Sequence, residues 1–398
     1  MKILLLGEYS NVHATLEKGL KELGHEVLLV SNGDFWKGFQ CDISLIRTYG
    51  MLGGVKYMAR LMSLLPRLRG FDVVQIINPM FLELKAERIF PIYKYLRRHN
   101  KSVVMGAFGM DYYWVNECIT RMPLRYSDFN IGTEIRHDAP AEREYKDWLG
   151  TEKERLNKYI ANDCDRIVTG LYEYDVCYRP NFPDKTEFIP YPIEAPSLLP
   201  QGGVKGTMEP LNPSIPKSLN PQPSTLNPSS PLGGTEGGLR FFIGISKNRS
   251  AYKGTDVMWR ALIKLQNTYP DRIEIIKAEG VPFNKYWRMM EKADVVLDQL
   301  YSYTPAMNGL LAMSKGKILV GGGEEENYEI LGEKQLRPII NVLPNEEDVY
   351  NKLRNLVVNP DKINDLKAQS KEYISRHHDY IKVAKRYETL YKSILCSR

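Results

Sequence analysis

A chain of 398 residues exceeds what one ordinary hydrophobic core supports and suits two domains. Hydrophobic residues at 43% and charged residues at 26% are those of a globular enzyme, and a formal charge of +6 favours anionic ligands while falling far short of a dedicated nucleic-acid binder. The five cysteines, Cys41, Cys118, Cys164, Cys177 and Cys396, form no CxxC pair and have no histidine at zinc spacing, so they read as reduced thiols of a cytoplasmic protein.

The chain opens on a short apolar run, Met1 to Gly7, followed at once by Glu8. That is too short for a secretory core and predicts a first β-strand over residues 2–6. A helix over 15–23 and a strand over 26–30 follow, separated by the stop signal Gly24. Further strands are expected at 73–77, 102–105 and 166–169, with helical patterns between them. This alternation implies a parallel sheet covered on both faces. Nowhere does an apolar stretch reach the roughly 20 residues of a membrane span.

Between Pro196 and Gly238 the composition changes to Pro, Ser, Gly and Thr, with Leu-Asn-Pro recurring at Leu211, Leu219 and Leu226. Such a tract buries too little apolar surface to offset its ordering entropy, and is expected to be a disordered linker or insertion. The alternation then restarts: strands at 240–245, 273–277, 295–297 and 318–320, helices at 254–268, 287–292 and 305–314, and a helical C-terminus. The expected division is 1–195, an insertion 196–238, a second α/β unit 239–375 and a terminal helix 376–398 returning to the first unit. Ligands of two such sheets lie beyond the carboxyl ends of the strands.

Five loops at those ends carry polar groups. The first, Gly7 to His13, has one glycine only, so the dinucleotide fingerprint is absent and a dehydrogenase is disfavoured. Glu8, Asn11 and His13 can hydrogen-bond sugar hydroxyls or orient an acceptor; the bland alternative is a strand–helix turn capped by Asn11 or Thr15. Gly106 to Asp111 places a carboxylate at another strand end, either for acceptor hydroxyls or as a simple helix cap. His13 and Asp111 are the catalytic candidates.

In the second unit, Lys247, Arg249 and Lys253 precede a helix N-terminus, a suitable site for a diphosphate. Thr304 is the expected N-cap and Pro305 the first residue of the next helix, whose free N–H groups near Asn308 and Gly309 can hold the same diphosphate. Three glycines then lead into Glu324, Glu325 and Glu326. Of these Glu325 and Glu326 are candidates for ribose or sugar hydroxyls, while mutual repulsion turns at least one of the three to solvent. Asp163-Cys164-Asp165 fits a DxD metal pattern but joins a helix to a strand, where surface turn residues are the better reading; no metal site is assigned. The cations Lys94, Arg97, Arg98 and Lys101, with Lys56, Arg60, Arg67 and Arg69, are read either as helix-end and solvated charges or as a patch touching anionic lipid.

With these residues assembled, the chain resembles the GT-B glycosyltransferases, most closely the family-4 enzymes of bacterial polysaccharide biosynthesis. The resemblance rests on Gly24-His25-Glu26-Val27, Phe71-Asp72-Val73-Val74 and the junction Phe188 to Ile193. In the second half it rests on Lys253-Gly254, Ala293-Asp294-Val295, Ala312 to Gly316 and Arg386 to Tyr391. It implies a GT-B architecture of two Rossmann-like α/β domains facing across a cleft, with the nucleotide in the second. Lys253 with Arg249 or Lys247 would bind the donor diphosphate, and His13, Asn11 and Asp111 would line the acceptor side. The implied partners are a UDP- or GDP-sugar donor and a saccharide or lipid-linked saccharide acceptor, with no cofactor, no nucleic acid and retention at the anomeric carbon. Peripheral contact at the inner membrane face also belongs to that reading. The chain departs from the family where two glutamates seven residues apart are usual: those positions hold Tyr303 and Leu311, with Glu325, Glu326 or Asp298 as substitutes. The rival readings are a sugar-nucleotide epimerase, which needs no acceptor, and a non-catalytic binding protein.

Overall fold

A computed structural model describes residues 1–34, 37–48, 50–194, 238–246 and 250–397. Almost all of the tract read as a linker, together with Lys247 and Arg249, lies outside the described residues.

The first domain is built on seven strands: β1 (Lys2–Leu6), β2 (Glu26–Ser31), β3 (Ile43–Ser44), β4 (Val73–Ile76), β5 (Ser102–Ala107), then, after a small antiparallel hairpin of β6 (Asn130–Ile131) and β7 (Glu134–Ile135), β8 (Arg166–Thr169) and β9 (Thr186–Phe188). Their order across the sheet is β3-β2-β1-β4-β5-β8-β9, every pairing parallel. β1 is central, with Leu4 opposite Leu28 on one side and Val74 on the other. Both faces of β1 are covered, so Ile3, Leu4 and Leu5 form an unbroken apolar run rather than an alternating one.

The second domain has five parallel strands, β10 (Leu239–Ile245), β11 (Ile273–Glu279), β12 (Val295–Leu297), β13 (Ile318–Gly321) and β14 (Ile339–Asn341), in the order β11-β10-β12-β13-β14. Phe241, Ile243, Val295, Leu297, Ile318 and Val320 bury against the helices Thr255–Thr268 and Glu346–Val358.

Strand order reverses between β1 and β4 in the first sheet and between β10 and β12 in the second. Each reversal makes two consecutive loops diverge and leaves a crevice at the carboxyl edge.

The last helix, Tyr380–Cys396, packs on the first domain against the helix Val12–Glu22. Gly19 makes the close approach feasible: a Cβ there would sit 2.7 Å from the Tyr380 carbonyl and 2.8 Å from the Ala384 methyl. The crossing is pinned by Ile193, whose N–H donates to the His378 carbonyl at 2.7 Å and whose carbonyl accepts from Tyr380 N–H at 3.2 Å.

Candidate functional site

At the crevice of the first sheet the chain leaves β1 through Gly7, whose φ of +83° and contact with Ile77 exclude a side chain; a Cβ would fall 2.4 Å from the Ile77 methyl. The turn delivers Glu8 and Tyr9 into a cavity of about 1090 Å³, also lined by Arg47, Tyr57, Phe81 and Lys85. Glu8 is buried. Its Oε2 accepts from Ala14 N–H at 2.8 Å, while Oε1 has no partner among the described residues. Burial, with a smaller contribution from the charge of Asp34, pushes its carboxyl up to about 7. Asn11 turns elsewhere: it adopts a left-handed backbone at φ 73°, bonds Thr15 Oγ1 at 3.1 Å, and lines a shallower depression with Lys18 and Glu194.

His13 and Asp111 lie beneath the carboxyl edge, fully buried. His13 Nδ1 is 2.9 Å from the Gly7 carbonyl, which only accepts, so the ring carries its proton there; Nε2 then accepts from the Gln75 side-chain amide at 3.1 Å. Gln75 is held in turn by Tyr391 of the last helix, whose hydroxyl donates at 2.7 Å. Burial drives the imidazole down to about 3, against a smaller opposing pull from the Gly7 carbonyl. Asp111 caps the helix Tyr112–Thr120, accepting from Trp114 N–H at 2.9 Å and from the Tyr178 hydroxyl at 2.7 Å, and burial raises its carboxyl to about 7.

In the second domain the loop after β10 ends in a short turn of helix, Ser250–Lys253, and Gly254 at φ +69°. Lys253 is drawn toward the loop after β12, because Leu300 N–H donates to its carbonyl at 2.9 Å and Leu300 fills the space a Gly254 Cβ would need. Asp298, buried at the end of β12, gathers the neighbouring groups. It accepts from Asn308 Nδ2 at 3.2 Å and from the Gly309 N–H, and it feels the Lys253 charge. Burial outweighs these partners and raises its carboxyl above the usual range. Lys253, Asn308 and Gly309, distant in sequence, therefore meet at one strand end, on the crevice between β10 and β12.

The helix expected to begin with Thr304 as N-cap and Pro305 as first residue begins instead at Met307, with Ala306 as N-cap. The reason is a carboxylate from the other domain. Glu173, buried on the helix Tyr172–Tyr178, accepts from Ser302 Oγ at 2.9 Å, Tyr303 N–H at 2.7 Å, Thr304 N–H at 3.0 Å and Thr304 Oγ1 at 2.5 Å. The N–H groups of Tyr303 and Thr304, just ahead of the helix, are thus taken within the protein.

The glutamates after β13 divide. Glu325 is turned to solvent and pairs with Arg337 at 3.0 Å. Glu326 and Glu324 pair with Arg125 of the first domain at 2.5 and 2.7 Å, and Glu324 also accepts from Tyr126. Tyr303, standing where the family has a glutamate, is buried between the domains, stacked on Tyr172 with its hydroxyl accepting from Arg125 N–H at 2.6 Å. Glu173 and Arg125 had no local sequence signal, since each acts on residues more than a hundred positions away. Asp163 and Asp165 are both tied to Arg97, at 3.3 and 2.6 Å, which makes the DxD pattern a structural ion-pair cluster.

No family model matches the chain, and no curated protein matches it. Solved structures do. HepE from Anabaena in complex with UDP and glucose superposes with a TM-score of 0.57 at 10% identity, over 98% of this chain and 99% of that one. The same protein in complex with UDP-glucose gives 0.56 at 11% identity over the same shares. Sucrose-phosphate synthase from Thermosynechococcus elongatus gives 0.57 at 10% identity over the whole of both chains. Two parallel α/β sheets meeting at their carboxyl edges, with a last helix returning to the first domain, and full-length superposition on these structures give the chain the GT-B fold.

Proposed function

We propose that the protein transfers a glycosyl group, of hexosyl type, from a nucleoside diphosphate sugar to a hydroxyl of a saccharide or lipid-linked saccharide in glycan assembly at the cytoplasmic side of the membrane. The observation that carries this reading is the meeting of Lys253, Asn308 and Gly309 around Asp298 at the strand-order reversal of the second sheet. That a full-length structural neighbour was crystallised with UDP-glucose supports a uridine diphosphate donor.

In this reading the bond between the anomeric carbon and the diphosphate oxygen breaks as the acceptor oxygen bonds to that carbon. The acceptor proton leaves to the departing diphosphate or to water. The sugar passes through an oxocarbenium-like state while negative charge grows on the diphosphate. Lys253, with Lys247 or Arg249 of the same loop, meets that charge. The N-terminus of the helix Thr255–Thr268 adds to it, so the field is stronger in the transition state than in the ground state. The reading invokes no metal ion, and retention of configuration follows from the family-4 resemblance.

Glu8, half protonated near neutrality and with one oxygen unpartnered, is assigned to an acceptor hydroxyl in the first-domain cavity. That cavity favours transfer over epimerisation, which has no use for an acceptor. His13 and Asp111 are assigned positioning roles: the imidazole fixes the Gly7 turn and the carboxylate fixes the helix beside it. Asn11 is kept for an acceptor portion reaching the depression beside the cavity, and Glu326 for donor hydroxyls once Arg125 lets go.

The test is calorimetric titration of UDP- and GDP-sugars into wild type and Lys253→Ala. Charge-assisted phosphate bonds of about 1.5–3 kcal/mol predict a loss of affinity of about 10- to 150-fold at unchanged melting temperature. Equal affinity for both proteins would count against the assignment.

A further inference from the structure

Residues 43–71 hold five cations, Arg47, Lys56, Arg60, Arg67 and Arg69, and no aspartate or glutamate. The helix Met51–Leu64 in this segment buries Tyr57, Leu61 and Leu64 against the first domain. Its outward face exposes Leu52 (74%), Val55 (67%) and Met62 (53%), and Ile46 just ahead of the helix is 57% exposed. At 100° per residue these three helix residues and Ala59 form one stripe, edged on one side by Lys56 and Arg60. None of the five cations forms an ion pair among the described residues. Most of the other basic run is engaged: Arg97 is paired with Asp163 and Asp165, Lys101 with Asp72, His99 stacks on Tyr95 and Lys94 lies over the Tyr159 ring, which leaves Arg98 exposed.

An exposed apolar stripe beside unneutralised cations is the pattern of a helix lying in a bilayer interface, its apolar residues among acyl chains and its cations at anionic headgroups. No helix among the described residues is long and apolar enough to cross a membrane. The same segment supplies Leu45, Ile46, Arg47 and Tyr57 to the wall of the cavity that holds Glu8.

We infer that the outward face of the helix Met51–Leu64 docks on an anionic lipid bilayer and sets the mouth of the first-domain cavity at the headgroup level. Charge complementarity selects the occupant: a second copy of this face would bring five unpaired cations against five. The docking stands on its own observations. Only the corollary, that a lipid-linked acceptor enters the cavity from the bilayer, rests on the proposed transfer reaction.

The test is co-sedimentation of the full chain with vesicles of phosphatidylglycerol and phosphatidylcholine, against vesicles of phosphatidylcholine alone. This reads no activity, so its failure is distinct from failure of the transferase assignment. The expected result is binding to the anionic vesicles that falls with salt. The double variant Lys56→Glu/Arg60→Glu should bind at least about 25-fold more weakly, at about fivefold per cation lost. The triple variant Leu52→Ser/Val55→Ser/Met62→Ser should fail to bind at unchanged melting temperature, and Arg98→Glu, on the helix Ala86–His99 outside this segment, should bind as wild type does. No binding to the anionic vesicles, equal binding by the double variant, or a dimer in sedimentation velocity that the triple variant dissolves would overturn the inference.

Discussion

At the scale of single residues, Glu8 and His13 are two buried titratable groups on one turn whose pH dependences oppose each other. The Glu8 carboxyl ordinarily titrates at 4.5 and here at about 7, so the folded state loses relative stability as pH rises from 4.5 to about 7 and stays penalised above. His13 ordinarily titrates at 6.5 and here at about 3, so its neutral form supports the fold above 6.5 and that support is lost as pH falls toward 3. Where the windows overlap, the two slopes nearly cancel. Replacing Glu8 by Gln keeps an oxygen for Ala14 N–H and removes the carboxyl's titration. Glu8→Gln is therefore expected to be more stable than wild type by roughly 3 kcal/mol near pH 8, at about 1.36 kcal/mol for each tenfold change in proton affinity, with the advantage vanishing below about pH 4.5. Calorimetric melting of both proteins across that range checks it. A constant difference at every pH would show that Glu8 is not held protonated by its burial.

At the scale of elements, the packing of the last helix on the first domain depends on a missing side chain. Gly19→Val would place methyl groups where the Tyr380 carbonyl and Ala384 already are, and both belong to a helix that cannot yield locally. Overpacking of this kind costs about 1–3 kcal/mol, so a lowered melting temperature and faster proteolysis within 380–397 are expected. The same melting point as wild type would mean that the helix is not held at this crossing. Gly19 is also a measure of what the sequence discloses. Within its own helix it reads as a mild propensity defect, and only the partner more than 360 positions away gives it a reason. The central strands β1, β4, β5, β8, β10, β12 and β13 are legible because burial on both faces writes continuous apolar runs. β3, β9 and β14 are edge strands of two or three residues, too short for any period to register. The helix Met51–Leu64 escapes notice because Gly53 and Gly54 interrupt its pattern and its exposed face is apolar. In the candidate site, the loops at the strand ends are legible from position alone, and Lys253, Asn308 and Gly309 do converge. What no local pattern discloses is which polar groups are already committed: Glu326 to Arg125, and the N–H groups of Tyr303 and Thr304 to Glu173.

At the scale of the whole molecule, two of the carboxylate contacts between the domains can be ranked by magnitude. Arg125 reaches across to Glu324 and Glu326, but its side chain is 56% exposed, so water and salt screen the pairing and its worth is about 1 kcal/mol or less. Glu173 is buried, and its carboxylate satisfies four donors of the loop after β12. Removing it strands buried N–H and hydroxyl groups at about 1–3 kcal/mol each, unless the domains part and water replaces the carboxylate. Parting relieves those donors at the expense of the ring contacts between the domains, Tyr303 on Tyr126 and on Tyr172. Glu173→Ala is therefore expected to shift the molecule toward a more open arrangement, seen as an increased radius of gyration in small-angle scattering at low salt. Arg125→Ala should leave the scattering curve nearly unchanged. The loop freed in Glu173→Ala is the one beside Asn308 and Gly309, so the same variant should bind a nucleoside diphosphate at least as tightly as wild type, since its N–H groups no longer have an internal carboxylate to leave. An unchanged radius with weakened nucleotide binding would mean instead that Glu173 orders the loop for the ligand rather than competing with it.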